Sequence, residues 1–134
     1  MPPVGIGDFI KQHNLKLETD LASVLRTETV EGVILATPHL LHEEQIVAVV
    51  SAGKEVFCEK PLTMTVDGAA RILEACDKGG KILGVGHERQ FQHWADAIEK
   101  RVPYRFTAEQ LIENIRLFTA IVSSSRQGGA LVSL

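Results

Sequence analysis

The sequence predicts an α/β fold, a parallel sheet with flanking helices followed by a helical C-terminal segment. Short apolar runs at residues 32–37, 55–58 and 81–85 have the length of strands and are bounded by turn-forming residues. Between successive runs lies one amphipathic stretch of helical length, the kind of connection that parallel strands require. After Phe91 the alternation stops and only helical patterns follow.

The elements follow in order. Residues 8–13 read as a short helix ended by Asn14, and Leu15-Lys16-Leu17 alternates like a brief strand. Asp20 caps a turn of helix through Leu25, because its carboxylate accepts from backbone N–H groups that have no partner in the first turn. Gly32-Val33-Ile34-Leu35-Ala36-Thr37 is mostly apolar, as in a strand buried on both faces, and Pro38 stops it. Over residues 39–52, Leu41, Ile46, Val47, Val49 and Val50 mix with Glu43, Glu44 and Gln45, the pattern of a helix with one buried face. Gly53 supplies its C-terminal cap, since glycine tolerates the left-handed conformation.

Glu55-Val56-Phe57-Cys58 is the second strand. Thr65 caps the next helix, whose inward face carries Ala69, Ile72, Leu73 and Cys76, and Gly79-Gly80 ends it. Lys81-Ile82-Leu83-Gly84-Val85 is the third strand. Trp94, Ala97 and Ile98 mark a helix broken near Val102-Pro103. Thr107-Ala108-Glu109-Gln110 is a capping box that opens a last helix with an apolar stripe at Leu111, Ile115, Phe118 and Val122, ended by Gly128-Gly129.

Composition narrows the function. A chain of 134 residues holds one compact domain, and 45% hydrophobic with 23% charged residues is the balance of a soluble globular protein. The net charge of −3 offers no attraction to nucleic acid or an anionic membrane. No apolar run approaches the roughly 20 residues of a membrane helix. Met1-Pro2-Pro3-Val4-Gly5 lacks a basic segment followed by an apolar one, so the cytoplasm is expected. Cys58 and Cys76 form no C-x-x-C pair and read as buried free thiols. His39 and His42 share a helical face without a further ligand set at metal spacing, so no metal site is expected. His87 and His93 read as surface or partly buried residues, and Trp94 and Phe118 as core, since no basic patch surrounds these aromatics.

Three polar clusters stand at the C-terminal ends of the predicted strands: Ala36-Thr37-Pro38-His39, Glu59-Lys60-Pro61 and Gly86-His87-Glu88-Arg89. In an open parallel sheet, ligands bind outside those ends. At these residues the sequence resembles the Gfo/Idh/MocA family of NAD(P)-dependent oxidoreductases. Thr37-Pro38 with His42 resembles its T-P-x-x-x-H element. Ala52-Gly53-Lys54 leading into Glu59-Lys60-Pro61 resembles its A-G-K-x-V-x-x-E-K-P element. Val85-Gly86-His87-Glu88-Arg89-Gln90-Phe91 is similar to the segment near the end of its nucleotide domain. The helix from Trp94 to Lys100 resembles the next family element, and Pro103-Tyr104 with the helix after Thr107 resembles the closing segment more loosely.

The resemblance implies a partial Rossmann-like domain over residues 1–100, a C-terminal helical segment over residues 101–134, NAD or NADP as cofactor, and a sugar or polyol as substrate. By analogy Thr37, Pro38 and His42 line the ribose region, Glu59 approaches the nicotinamide half, and Lys60 meets both cofactor and substrate as the catalytic residue. A cation there favours a developing alkoxide. The Lys60-Pro61 bond is expected to be cis, as in a tight X-Pro turn.

Departures from the family pattern temper this. Gly5-Ile6-Gly7 is the one candidate for the glycine-rich pyrophosphate turn, but no strand pattern precedes it and Ile10 stands at the third glycine position. No acidic ribose-binding residue is assignable about 20 residues further on. The substrate-domain sheet with its Asp-x-x-x-His element, expected near residues 100–103, is missing, and Glu88 and Gln90 differ from the commoner family residues. Three readings stand: a shortened oxidoreductase-family protein, impaired in catalysis and dependent on a partner chain; a non-catalytic assembly protein, its open strand edge promoting homo-oligomers; and a truncated gene product without independent function.

Overall fold

The computed structural model describes residues 6–86, 88–100, 102–104, 107–128 and 131–132. They fall into two compact units that divide between Val30 and Glu31. In the first, helix α1 (Ile6–Gln12) ends at a turn in which Asn14 takes a left-handed φ of 49°, and helix α2 (Leu21–Arg26) starts where the Asp20 carboxylate accepts from the Ser23 N–H at 2.8 Å. Residues 15–17 form no strand, contrary to their alternation. Leu15 and Leu17 are both exposed, and an alternating triplet without a neighbouring strand has no partner for its backbone groups.

The second unit is built on a three-stranded parallel sheet in the order β1 (Gly32–Leu35), β2 (Glu55–Cys58), β3 (Leu83–Val85). A 3-10 turn (His39–Leu41) and helix α3 (His42–Ser51) join β1 to β2, and helix α4 (Val66–Gly79) joins β2 to β3. The expected caps form. Gly53 follows α3 at φ 74°, Thr65 Oγ1 accepts from the Gly68 N–H at 3.0 Å, and Gly80 ends α4 at φ 60°. Arg71 of α4 donates to Glu43 of α3 at 2.6 Å. Their buried faces carry Ile46, Val49 and Val50 from α3 and Ala69, Ile72 and Cys76 from α4.

Register sorts the strand residues by face. Val33 pairs with Val56, Val56 in turn with Leu83, and Leu35 with Cys58, so these apolar side chains share one side of the sheet. On the other side stand Gly32, Ile34, Phe57 and Gly84. Helix α5 (Glu88–Lys100) covers part of that side with Trp94. The indole lies tilted against the Phe57 ring with centroids 5.7 Å apart, donates its N–H to the Ile82 carbonyl at 3.1 Å, and is joined by Phe91 at 5.6 Å. A β-carbon on Gly84 would stand 2.5 Å from Phe57 and 2.7 Å from Trp94, so this close approach requires glycine.

Two sequence expectations are corrected here. β1 is buried on one face only: Val33 and Leu35 are covered while Ile34 is 56% exposed. Among the described residues it is an edge strand, and Trp94 reaches the sheet at Gly32 rather than at Ile34. Phe118 is not core. Helix α6 (Ala108–Arg126), opened by the expected Thr107–Gln110 capping box, lies on α4 and buries Ile115, but leaves Phe118 38% exposed. Gly128 follows α6 at φ 68°, whereas Gly129 lies outside the described residues.

Gly84→Ala is expected to cost about 1–3 kcal/mol, because two aromatic rings and not a flexible chain end must move. Gly7→Ala, which meets nothing within 4 Å in α1, should instead stabilise its helix by about 0.5–1 kcal/mol. Urea denaturation of the two variants reads the opposite signs.

Candidate functional site

Parallel pairing brings the C-terminal ends of all three strands to one edge. Leu35, Cys58 and Val85 are in register there. Beyond them the tips remain tied: the Glu59 N–H donates to the Leu35 carbonyl at 2.9 Å, and the Gly86 N–H to the Cys58 carbonyl at 3.1 Å. Thr37 and Pro38 thus follow β1, Glu59, Lys60 and Pro61 follow β2, and Gly86 follows β3. His87, the centre of the third polar cluster, lies outside the described residues.

His42 braces the first two tips. The residue is 1% exposed at the start of α3, with Nε2 2.8 Å from the Thr37 carbonyl oxygen and Nδ1 2.8 Å from the Pro61 carbonyl oxygen. A neutral imidazole carries one N–H and donates to one of these two carbonyl oxygens; only an imidazolium donates to both. The Thr37 hydroxyl donates to Gln45 Oε1 on α3. Pro38 begins the 3-10 turn that swings the chain into α3, its carbonyl accepting from the Leu41 N–H at 2.9 Å. The local sequence explains this path: proline cannot continue the β1 ladder, and a helix start four residues later carries His42 back under the strand tip.

Glu59 and Lys60 are exposed, and the Lys60–Pro61 peptide is cis as expected. No hydrogen bond or ion pair holds the Lys60 ammonium among the described residues, so it stands open to a ligand. It lines a groove of about 590 Å³ together with Pro61, Val85, Gly86, Asn114 and Phe118. The residues singled out in sequence are therefore gathered in pieces. Thr37 and His42 are joined directly, the His42 ring links them to Pro61, and of the five only Lys60 lines the groove. Asn114 was not anticipated. Its spacing from Phe118 puts both on one helix face, but nothing local says which face meets the strand tips.

Of the proposed pyrophosphate turn, Gly5 lies outside the described residues, while Ile6 and Gly7 are the first residues of α1. Among the described residues no strand precedes that helix, and no three of His, Cys, Asp and Glu gather as metal ligands would. No helix among them is long and apolar enough to cross a membrane.

Cys58 and Cys76 are free and buried, as expected. Burial, aided by the Glu59 charge, pushes the Cys58 thiol up to about 12, and burial with Glu55 nearby pushes Cys76 up to about 11. Both therefore stay protonated near neutrality, the form in which a thiol is a poor nucleophile.

Two measurements follow. His42→Ala removes a buried ring and the hydrogen bond it donates to a loop carbonyl, and should cost about 1–3 kcal/mol in chemical denaturation. Above about pH 9 the unfolded chain releases thiol protons that the folded chain retains, so stability should fall as pH rises toward 12. The Cys58→Ala, Cys76→Ala double variant should lose much of that slope.

Comparison with known proteins meets this geometry. Residues 6–87 match the Gfo/Idh/MocA oxidoreductase family through its NAD-binding Rossmann fold. The match begins earlier than the motifs, which start at Thr37. Inositol 2-dehydrogenase of Rhodococcus erythropolis is 40% identical over 79 residues, covering 58% of this chain and 23% of that protein. 2,7-Anhydro-N-acetylneuraminate hydratase of Mediterraneibacter gnavus is 38% identical over 77 residues, covering 58% of this chain and 21% of that protein. This chain thus spans about a fifth to a quarter of the length of these relatives. Among solved structures, GenD2 from gentamicin A biosynthesis, in complex with NAD, aligns with a TM-score of 0.56 at 31% identity, over 60% of this chain and 23% of GenD2. The 3-ketoreductase KijD10 from Actinomadura kijaniata, with NADP, aligns with a TM-score of 0.57 at 26% identity, over 70% of this chain and 30% of KijD10. The parallel sheet, the level strand tips and the family match lead to one conclusion: the chain belongs to the Gfo/Idh/MocA oxidoreductase family, related to NAD(P)-dependent sugar and polyol dehydrogenases.

Proposed function

We propose that this chain holds the nicotinamide half of NAD or NADP weakly at the strand tips, with Lys60 as the catalytic group toward a sugar or polyol. The observation that carries the reading is the His42 brace, which fixes the Thr37-Pro38 and Glu59-Lys60-Pro61 loops side by side on the edge where parallel α/β sheets bind ligands. The residues fit that half of the cofactor. Thr37 and Pro38 offer backbone and side-chain surface at one tip, and Glu59 and Lys60 are exposed polar groups at the next. His42, buried with each ring nitrogen 2.8 Å from a loop carbonyl oxygen, acts as a positioning residue.

The cofactor supplies hydride transfer when bound. Lys60 supplies a cation that favours negative charge on a substrate oxygen. The described residues show no glycine-rich turn to carry the pyrophosphate, so the affinity should be low and a partner chain would complete the catalytic site. In this reading residues 1–100 form the nucleotide-fold part and residues 101–134 its helical cover.

Calorimetric titration with NADH and NADPH tests the binding. Dissociation constants on the order of 1 mM are expected, weakened several-fold by Lys60→Ala. Saturation absent well into the millimolar range for both would overturn the proposal.

One observation favours assembly as a second role. Among the described residues β1 bonds to β2 alone and shows exposed Ile34 on an open strand edge, a template for pairing with another copy. Light scattering should find a dimer or larger species that Ile34→Lys returns to monomer; a monodisperse monomer at high concentration sinks this role.

A further inference from the structure

We infer that the groove between the tips of β2 and β3 and helix α6 is a binding site for a small amphipathic acid, its carboxylate at Lys60 and its apolar body against Phe118, Ile115 and Val85. The groove's volume of about 590 Å³ falls within the range of small-molecule pockets. Its walls come from three elements: Pro61 and Leu62 after β2, Val85 on β3, and Leu111, Ile115 and Phe118 along α6. Among the described residues that line it, Lys60 and Asn114 alone have polar side chains, and neither has a hydrogen-bonding or ionic partner in the structure.

That chemistry discriminates between ligand classes. A polyol bound along the apolar walls, rather than at the exposed Glu59-Lys60 tip, would press most of its hydroxyls against them, and each hydroxyl stripped of water without a partner is costly. A phosphate dianion is better served by a guanidinium fork or a nest of backbone N–H groups than by one ammonium. A monoanion with a hydrocarbon body matches what is present: one cation at the strand tips, one neutral amide on the helix, and apolar surface between. The 38% exposure of Phe118, unexplained by packing within α6, fits a ring that faces the groove. This site goes beyond the proposed cofactor role, because α6 rather than a dinucleotide fold supplies half of it.

Calorimetric titration with butanoate, hexanoate and octanoate, and with the matching 1-alkanols, tests the inference. Carboxylate affinity should rise about two- to fourfold per methylene. Octanoate should bind at least about tenfold more tightly than 1-octanol, because the charged contact is lost in the alcohol. Lys60→Gln should abolish that preference while keeping the dependence on chain length. Phe118→Ser should flatten the chain-length dependence while keeping the preference. Both side chains are exposed enough for the fold to survive, which far-ultraviolet circular dichroism checks. Octanoate that fails to saturate in the millimolar range, equal affinity for acid and alcohol, or a preference that persists in Lys60→Gln would each overturn the site. A parallel NADH titration separates the two proposals: octanoate without NADH binding removes the cofactor role only, and NADH without octanoate binding removes the acid site only.

Discussion

The arrangement of this edge depends on one buried ring. Where a strand ends, its following carbonyls leave the ladder and need other partners if they are covered. The Thr37 and Pro61 carbonyls belong to loops after adjacent strands, and the His42 imidazole stands 2.8 Å from each. A single rigid side chain at the head of α3 therefore holds two loops in fixed relation. Lys60, next to Pro61, inherits its place from that clamp.

The sheet beneath has two differently built sides. The apolar strand residues meet the connecting helices on one, in ordinary hydrophobic packing. On the other, glycines at positions 32 and 84 clear a floor on which the Trp94 indole lies, pinned at one end by its bond to the Ile82 carbonyl. That construction places the start of α5 beside the β3 tip. Helix α6, lying on α4, then brings Asn114 and Phe118 to the groove that Lys60 lines. The result is an edge of mixed character, polar and open along the β1 and β2 loops, apolar and walled toward α6.

The family match covers residues 6–87, whereas the helical wall comes from residues beyond it. A cation beside an apolar wall is a different chemical environment from a cation beside a polar crevice, because low-dielectric surroundings strengthen a charge contact and penalise unpaired hydroxyls. Lys60 thus stands where the two meet, at the β2 tip and on the groove that α6 walls.

Much of the fold was legible because its signals are local. Asp20, Thr65 and Thr107 cap the helices they were expected to cap, and Gly53, Gly80 and Gly128 adopt positive φ at helix ends, since those preferences depend on the few neighbouring backbone groups each residue can satisfy. The three strand runs and the helices between them determined a parallel sheet, and hence that Thr37, Glu59 and Lys60 would share an edge. The alternation at residues 15–17 misled because a strand exists only with a partner, and the apolar run at 32–37 misled because hydrophobicity does not say whether a neighbour covers the second face.

By itself, then, the sequence determined the three sheet strands and the helices between them, the parallel order and the polar strand tips, all of which follow from periodicity and capping within a few residues. Only the tertiary structure decided that His42 faces inward as a brace between two loops, that Ile34 and Phe118 stay exposed, and that Asn114 joins Lys60 at a groove. Those outcomes depend on which distant surfaces meet and how closely, and contacts between residues far apart in the chain leave no periodic trace in it.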